Sequence, residues 1–445
     1  MNITIVGAGR VGIHLAKYFS EENQDVFLVD NERSHLSVLE SDFNLRTFQG
    51  QPLDLKTLRE ANTERADIFI SVTADTATNL ITCALAKSMG AKKTIARVDR
   101  YDFIDQKNSN VVKQMGVDHV VYPDYLSALS VISALEHSWS YGWNDFNDGS
   151  IIMVAVTVDS DSPITGCKLK EMYENNRTMH ISALRRGSQT IIPHGEDTIY
   201  PGDILYVTTV PDGIEKVKKI SGKKDNSVKK VILLGGSNVA QIVANLAGKR
   251  FSFVIIDKKI ERCRELAERC RDAEIIFGDG IDQDVIEEAG INDADAFVAL
   301  SDSSESNILS CLTAQDIGVG RTVAEIEKEQ LIAKAESFNI GAIINKPIIT
   351  ANAIFQLILD SDYPSSKCFA MRDAEVARLE IKEGSILTKY PVKDLKLPKD
   401  LTFAGIIRNN RGEIVTGNSV FKPGDSVIVF CLNGALENVE KLFRK

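Results

Sequence analysis

Ile3-Thr4-Ile5-Val6-Gly7-Ala8-Gly9-Arg10-Val11-Gly12 opens the chain, and 18 positions after Gly12 an acid, Asp30, closes the apolar run Val26-Phe27-Leu28-Val29. An apolar strand, a glycine-punctuated turn, a helix and a second strand ending in a carboxylate form the pattern by which a parallel sheet takes a dinucleotide. The first glycine permits the tight turn, the second lets a pyrophosphate approach the backbone, and the third lets the helix lie close to the strand. Phosphate then meets the free N–H groups at the helix start. Asp30, at the end of the second strand, is placed to accept ribose hydroxyls. Its charge would repel a 2′-phosphate, which favours NAD(H) or an adenine nucleotide over NADP.

The same pattern returns at mid-chain as Val231-Ile232-Leu233-Leu234-Gly235-Gly236-Ser237-Asn238-Val239-Ala240, with Asp257 closing Phe253-Val254-Ile255-Ile256. Gly7 and Gly235 stand 228 positions apart, and that offset also pairs Gly50 with Gly278, Asp54 with Asp282, Asp67 with Asp295 and Asn79 with Asn307. One offset held across so many positions marks an internal duplication. The second copy is degenerate. Ser237 puts a Cβ where the second glycine leaves space, and Ala240 replaces the third. Asn238 and Glu325 stand where the first half has Arg10 and Arg97, which weakens the attraction for a polyphosphate.

Apolar runs and helical patterns alternate around the first loop. Strands are predicted at 2–6, 26–30, 45–48, 67–72 and 94–98, and helices at 11–20, 32–42, 54–61 and 76–89. That alternation specifies a doubly wound parallel sheet, and Ile68-Phe69-Ile70-Ser71-Val72 has the apolar character of a strand buried on both faces. Leu126, Leu129, Ile132 and Leu135 then form a helical stripe, matched in the second half by Ile348, Ala351, Ile354, Phe355, Ile358 and Leu359. Two readings stand: each helix packs on its own sheet, or it crosses to a neighbouring domain. Beyond each stripe the character changes to short strands. Ile151–Val158 and Ser182–Gly187, a strand running into a turn, precede a Pro201-Gly202-Asp203 turn and a strand to Val207; Glu375–Ile381 and Gly405–Asn410 precede Pro423-Gly424-Asp425 and a strand to Phe430. The polar stretch 221–227 reads as a linker. The fold class is therefore α/β: two Rossmann-like doubly wound parallel sheets, each followed by a small α+β domain. The domain boundaries are 1–140, 141–220, 228–362 and 363–445.

Composition narrows the partners. The 445 residues carry a net charge of −10, spread along the chain, which argues against nucleic acid or an acidic membrane surface. No apolar run approaches the ~20 residues that span a bilayer, and a strand starting at residue 2 leaves no room for a signal peptide. The seven cysteines form no CxxC, and the six histidines are scattered. Reduced thiols are expected, with no metal site and no histidine-centred catalytic group.

Strand C-termini line the ligand crevice of such a sheet. Arg10 in the loop and Arg97 at the end of the fifth strand are placed either to meet phosphate in forked geometry or to face solvent. Thr73, Asp75 and Asn79 follow the fourth strand, as Ser301 and Asn307 do in the second half. They read as caps of the next helix, as ligand contacts, or as both, with capping favoured for Thr73.

With its Gly7-to-Gly12 loop, Asp30, the Thr73-to-Asn79 stretch, Ala96-Arg97-Val98 and paired Pro-Gly-Asp turns, the chain resembles the TrkA family. These are regulatory subunits of Trk-type potassium uptake, built from tandem RCK domains. The resemblance runs from Ile3 to near Phe430. It implies a cytosolic homotetrameric ring, peripheral on the cytoplasmic face of the inner membrane and docked on a TrkH- or TrkG-like K+-translocating subunit. NAD(H), ATP or ADP would be regulatory ligands. By resemblance, Gly7, Ala8, Gly9, Arg10, Val11, Gly12 and Asp30 hold the nucleotide, Thr73 and Ala74 line its crevice, and Arg97 approaches it. Arg10 matches an arginine that reaches a terminal phosphate across a subunit boundary in related rings. Gly235, Gly236, Asn238 and Asp257 are the second-half counterparts. Gln51 departs from an Asp common in the family, which Asp279 keeps. Rival readings are an NAD-dependent oxidoreductase using His180 or His194 as proton handler, a scaffold with vestigial sites, and a regulator of another cation transporter or antiporter.

Overall fold

β1 (Asn2–Val6) lies between β2 (Asp25–Asp30) and β4 (Ile68–Ser71), both parallel to it, so its side chains are buried on both faces. With β3 (Arg46–Gln49), β5 (Lys93–Arg97) and β6 (His119–Val121) the sheet order is β3-β2-β1-β4-β5-β6. The order reverses between β1 and β4, and a crevice opens at the strand C-termini there. The strands and helices expected over 2–98 recur within two residues of their predicted bounds, apart from residues 41–42 of the second helix. The strands expected from Ser182 and Gly405 begin earlier, at Met179 and Leu401. This computed structural model describes all residues except 22, 41–44, 174–177, 188, 224–226, 360–364, 371–373, 396, 433–434, 436–441 and 444–445. Residues 41–42 of the predicted helix and 224–226 of the predicted linker therefore lie outside the described residues. Ser221 closes the helix Ile214–Ser221 rather than opening a linker.

The first antiparallel sheet comprises β7 (Gly142–Phe146), β8 (Ile151–Thr157), β9 (Met179–Arg186), β10 (Gln189–Ile191) and β11 (Ile204–Thr209), in the order β10-β9-β11-β8-β7. β7 had no signal in the sequence, because Gly-Trp-Asn-Asp-Phe at a sheet edge needs no apolar alternation. The second parallel sheet contains β12 (Lys230–Leu234), β13 (Ser252–Asp257), β14 (Ala273–Phe277), β15 (Ala296–Ala299), β16 (Arg321–Glu325) and β17 (Ala342–Ile344). Its order, β14-β13-β12-β15-β16-β17, is that of the first. β18 (Ser365–Ala370), β19 (Ala374–Glu380), β20 (Leu401–Arg408), β21 (Arg411–Ile414) and β22 (Ser426–Leu432) repeat the antiparallel sheet as β18-β19-β22-β20-β21.

The paired Pro-Gly-Asp turns have a structural cause. Asp203 is buried and accepts Nε and Nη2 of Arg186 at 2.8 and 2.7 Å and the main-chain N–H of Tyr200 at 2.9 Å. Asp425 accepts Arg408 Nε and Nη2 at 2.8 and 2.6 Å and the Lys422 N–H at 2.7 Å. Each turn is thus held by a bidentate, charge-assisted pair inside its sheet. The two antiparallel sheets also share one apolar cluster, in which Ile151, Met153 and Tyr206 meet Ile407, Ile428 and Phe430.

The chain forms two compact units, 1–129 with 345–358, and 130–344 with 359–445. The helix Lys346–Leu359 of the second half therefore packs with the first parallel sheet. Phe355 lies 4.0 Å from Tyr18 and 5.1 Å from Phe19, ring centre to ring centre. Lys93 Nζ donates to the Leu357 carbonyl at 2.7 Å, and Lys346 pairs with Asp124 at 3.0 Å. The helix Pro123–Glu136 begins in the first unit and ends in the second. There Arg321 Nε donates to the Ala134 carbonyl at 3.1 Å, and Arg250 pairs with Glu136. Of the two readings of the amphipathic stripes, the crossing one holds. Among the described residues no helix is long and apolar enough to cross a membrane, and no three metal-ligating side chains cluster.

Candidate nucleotide site

The three glycines of the first loop are required for three different reasons. Gly7 adopts φ +103°, and a Cβ there would lie 2.9 Å from the Thr73 nitrogen. A Cβ on Gly12 would collide with the Gly7 carbonyl oxygen, so the helix Arg10–Glu21 starts as close to the turn as backbone allows. A Cβ on Gly9 would meet nothing within 4 Å. Gly9 therefore presents open backbone beside a helix start, whose first N–H groups have no partner within the helix.

Asp30 is 8% exposed and ties the second strand to this loop. Its Oδ2 accepts the Ala8 N–H at 2.6 Å, and its Oδ1 accepts the Glu32 N–H at 2.8 Å, with His35 Nδ1 3.3 Å away. Each carboxylate oxygen can accept two hydrogen bonds, which leaves capacity for a ribose hydroxyl. An open face at Gly9, a helix N-terminus and a partly committed carboxylate are a set that fits a nucleoside diphosphate.

Asn79 joins the neighbouring strand ends. Its Oδ1 accepts from Ser71 Oγ, Thr73 N and Thr73 Oγ1 at 3.0, 2.9 and 2.7 Å, and its Nδ2 donates to the carbonyls of Thr73 and Arg97 at 3.1 and 2.9 Å. At 1% exposure Asn79 is a clip inside the protein, not a surface for ligand. The helix Thr76–Met89 is capped by Asp75, which accepts the Thr78 N–H at 2.7 Å, so the capping role expected of Thr73 belongs two residues later. Hydrogen bonding to Thr78 lowers the pKa of the Asp75 carboxyl. Thr73 is half-buried and Ala74 exposed at the crevice edge, and Arg10 is exposed on the loop. Arg97 is half-buried at the end of β5, and its guanidinium makes no hydrogen bond or ion pair among the described residues.

The second half keeps the frame and fills the loop. Gly235 has φ +94°, Asp257 Oδ2 accepts the Gly236 N–H at 2.7 Å, and Asn307 clips Ser301 to Glu325 as Asn79 clips Thr73 to Arg97. Ser237, at the Gly9 position, caps its own helix by accepting the Ala240 N–H at 3.3 Å. Arg262 Nε donates to the Gly236 carbonyl, its Nη2 to Asn238 Oδ1 at 2.9 Å, and its Nη1 to Glu265 at 3.0 Å. Sequence reasoning missed Arg262. The available signal was its place five residues after Asp257, where the first half has His35 five residues after Asp30.

The proton handlers required by an oxidoreductase are not assembled. His180 Nε2 lies 3.0 Å from Thr402 Oγ1, and burial pushes its pKa down to about 4. His194 is exposed, and its main-chain N–H bonds Asp197.

Residues 3–123 and 231–346 match the TrkA-N domain, and 153–222 and 376–444 match the TrkA-C domain. The chain is 27% identical over 453 residues to the Trk system potassium uptake protein TrkA homolog 1 of Methanosarcina mazei, covering 100% of both. It is 25% identical to the Trk system potassium uptake protein TrkA of Azorhizobium caulinodans, covering 100% of this chain and 99% of that one. Among solved structures it resembles the GsuK RCK domain, with a TM-score of 0.61 at 15% identity over 99% of this chain and 94% of the other. The GsuK channel bound to NAD gives a TM-score of 0.62 at 15% identity, covering 99% of this chain and 78% of that one. GsuK bound to ADP gives 0.52 at 14% identity, over 81% and 70%.

Proposed function

The chain belongs to the family of tandem TrkA-N and TrkA-C domains, and from that premise we propose that it is the nucleotide-sensing regulatory subunit of a Trk-type potassium uptake system. It is a regulatory protein, not an enzyme: its relatives are named for potassium uptake. The observation that carries the ligand reading is the open backbone at Gly9 beside Asp30, with the Arg97 guanidinium unpartnered among the described residues at the next strand end but one. Gly7, Ala8, Gly9, Arg10, Val11 and Gly12 cradle the pyrophosphate, Asp30 takes the ribose, and Thr73 and Ala74 border the crevice. Arg97 and Arg10 read the terminal phosphate. NAD(H), ADP and ATP are the ligands of choice, and the NAD and ADP bound to GsuK support that choice.

The four domains are taken as 1–140, 141–220, 228–362 and 363–445. The subunit assembles as a homotetrameric ring on the cytoplasmic face of the membrane, against a TrkH- or TrkG-like potassium-translocating partner. A ligand shifts such a ring only through different affinity for its two shapes. A tenfold preference at each of four sites amounts to about 5–6 kcal/mol, enough to move a two-state gate almost fully. Arg10 and Arg97 supply that preference by distinguishing triphosphate from diphosphate.

The test is isothermal titration of the full chain with NAD+, NADH, ADP and ATP, beside Asp30→Ala. Binding that disappears in the variant supports the reading. No binding by any of the four ends it.

A further inference from the structure

We propose that Arg262 latches the second glycine loop shut, so that only the first of the two Rossmann-like halves takes an adenine nucleotide. The inference rests on the nucleotide-sensing reading above and names which crevice does the sensing. Ser237 is the residue that matches Gly9, the point where a pyrophosphate approaches the backbone. Arg262 bonds both of its neighbours, the carbonyl of Gly236 on one side and the side-chain oxygen of Asn238 on the other. The guanidinium therefore spans the approach point. Its third nitrogen is held by Glu265 at 3.0 Å, so each of its three nitrogens has an acceptor.

The loop is packed from the same side. A Cβ added to Gly236 would collide with Leu266 Cδ1 and lie 3.3 Å from Arg262 Cγ, so the helix Ile260–Arg269 rests directly on the turn. The Ser237 hydroxyl is already engaged with the Ala240 N–H, one of the amides that would meet phosphate. Glu325, buried, stands where the first half has Arg97, so the cation at that strand end is missing from this crevice. Among the described residues the first half shows no such bridge: His35, at the position of Arg262, turns to Asp30 Oδ1 at 3.3 Å and Glu32 at 3.4 Å. A fork of planar donors can bridge two acceptors at once; a lysine ammonium, a point charge, cannot reproduce that span.

Hydrogen–deuterium exchange of the full-length protein tests the latch, read at peptides covering 7–12 and 235–240, without ligand and with saturating ADP or NAD+. In the unmodified protein ADP is expected to slow exchange at 7–12 and leave 235–240 unchanged. Without ligand, Arg262→Ala is expected to speed exchange at 236–240 about tenfold, Arg262→Lys by less. Should Arg262→Ala fail to fold, Asn238→Ala removes an exposed acceptor and is expected to show the same change at smaller size. Protection of 235–240 by ADP or NAD+ in the unmodified protein overturns the proposal, as does unaltered ligand-free exchange in these variants. If neither loop responds to ADP or NAD+, the sensing reading fails, while the ligand-free comparison still decides whether Arg262 holds the loop.

Discussion

Lys93 and Arg321 stand 228 positions apart, each begins the fifth strand of its parallel sheet, and each donates to a carbonyl near the end of the other half's long helix. Lys93 Nζ reaches Leu357 O at 2.7 Å, and Arg321 Nε reaches Ala134 O at 3.1 Å. The duplication has kept a cation at the helix C-terminus, where the final carbonyls lack partners and the helix dipole favours positive charge. The two differ in burial. Lys93 is half-buried, whereas Arg321 is 6% exposed and also donates to Gly341 O at 2.9 Å. Burial lowers the pKa of Arg321 to about 10.

Arg321→Ala is accordingly expected to destabilise its unit by about 2–4 kcal/mol, since it strands buried carbonyls and opens a void. Lys93→Ala is expected to cost about 1 kcal/mol. Urea unfolding followed by circular dichroism compares the two midpoints. Equal midpoints for the variants would contradict the unequal burial.

Gly9 and Gly12 separate binding from folding. Gly9→Ala meets open space, so stability is expected to stay within about 0.5 kcal/mol while ADP affinity falls at least tenfold. Gly12→Ala meets the Gly7 carbonyl and is expected to cost about 2 kcal/mol or more through displacement of the helix. Thermal melts beside titration calorimetry distinguish them. A Gly9→Ala protein with intact affinity would show that pyrophosphate does not approach there.

The Arg97 guanidinium makes no hydrogen bond or ion pair among the described residues. Arg97→Ala is expected to leave the melting temperature nearly unchanged and to weaken ATP and ADP binding about tenfold or more. Asp30→Ala is expected to affect both, because the carboxylate also holds the Ala8 and Glu32 N–H groups. A melting temperature that drops with Arg97→Ala while affinity persists would assign Arg97 to structure.

His180 sets an acid limit. Its folded pKa is lowered to about 4 by burial, against about 6.5 for the free imidazole. The unfolded chain therefore binds the proton first. Stability is full above pH 6.5, declines as the pH falls towards 4, and loses nothing further from this group below 4. The loss is on the order of 3 kcal/mol. His180→Gln is expected to flatten this part of the curve when urea midpoints are measured between pH 4 and 7. An unchanged slope would mean that His180 accepts a proton in place.

Much of the site was legible because its demands are local. The spacing of Gly7, Gly9 and Gly12 expresses backbone geometry, and the acid ending the second strand is set by chain direction. Asn79 was noted as a repeated residue, yet its role as a clip depends on two strand ends that meet only in the sheet. Arg262 could be placed only by its position five residues after Asp257, and its role could not be read, because the acceptors it joins lie 26 and 24 residues away.

The sequence by itself determined the duplication, the parallel sheet of each half and the glycine spacing of the first loop, since periodicity and spacing act along the chain. It also showed an apolar stripe on each of the helices at 123–136 and 346–359, of which Leu129 stays exposed. Only the tertiary structure decided what covers those stripes. An apolar face states that it must leave water, but it is equally satisfied by any sheet that fits. The choice fell to contacts such as Phe355 on Tyr18 and Arg321 on the Ala134 carbonyl, made between residues far apart in the chain.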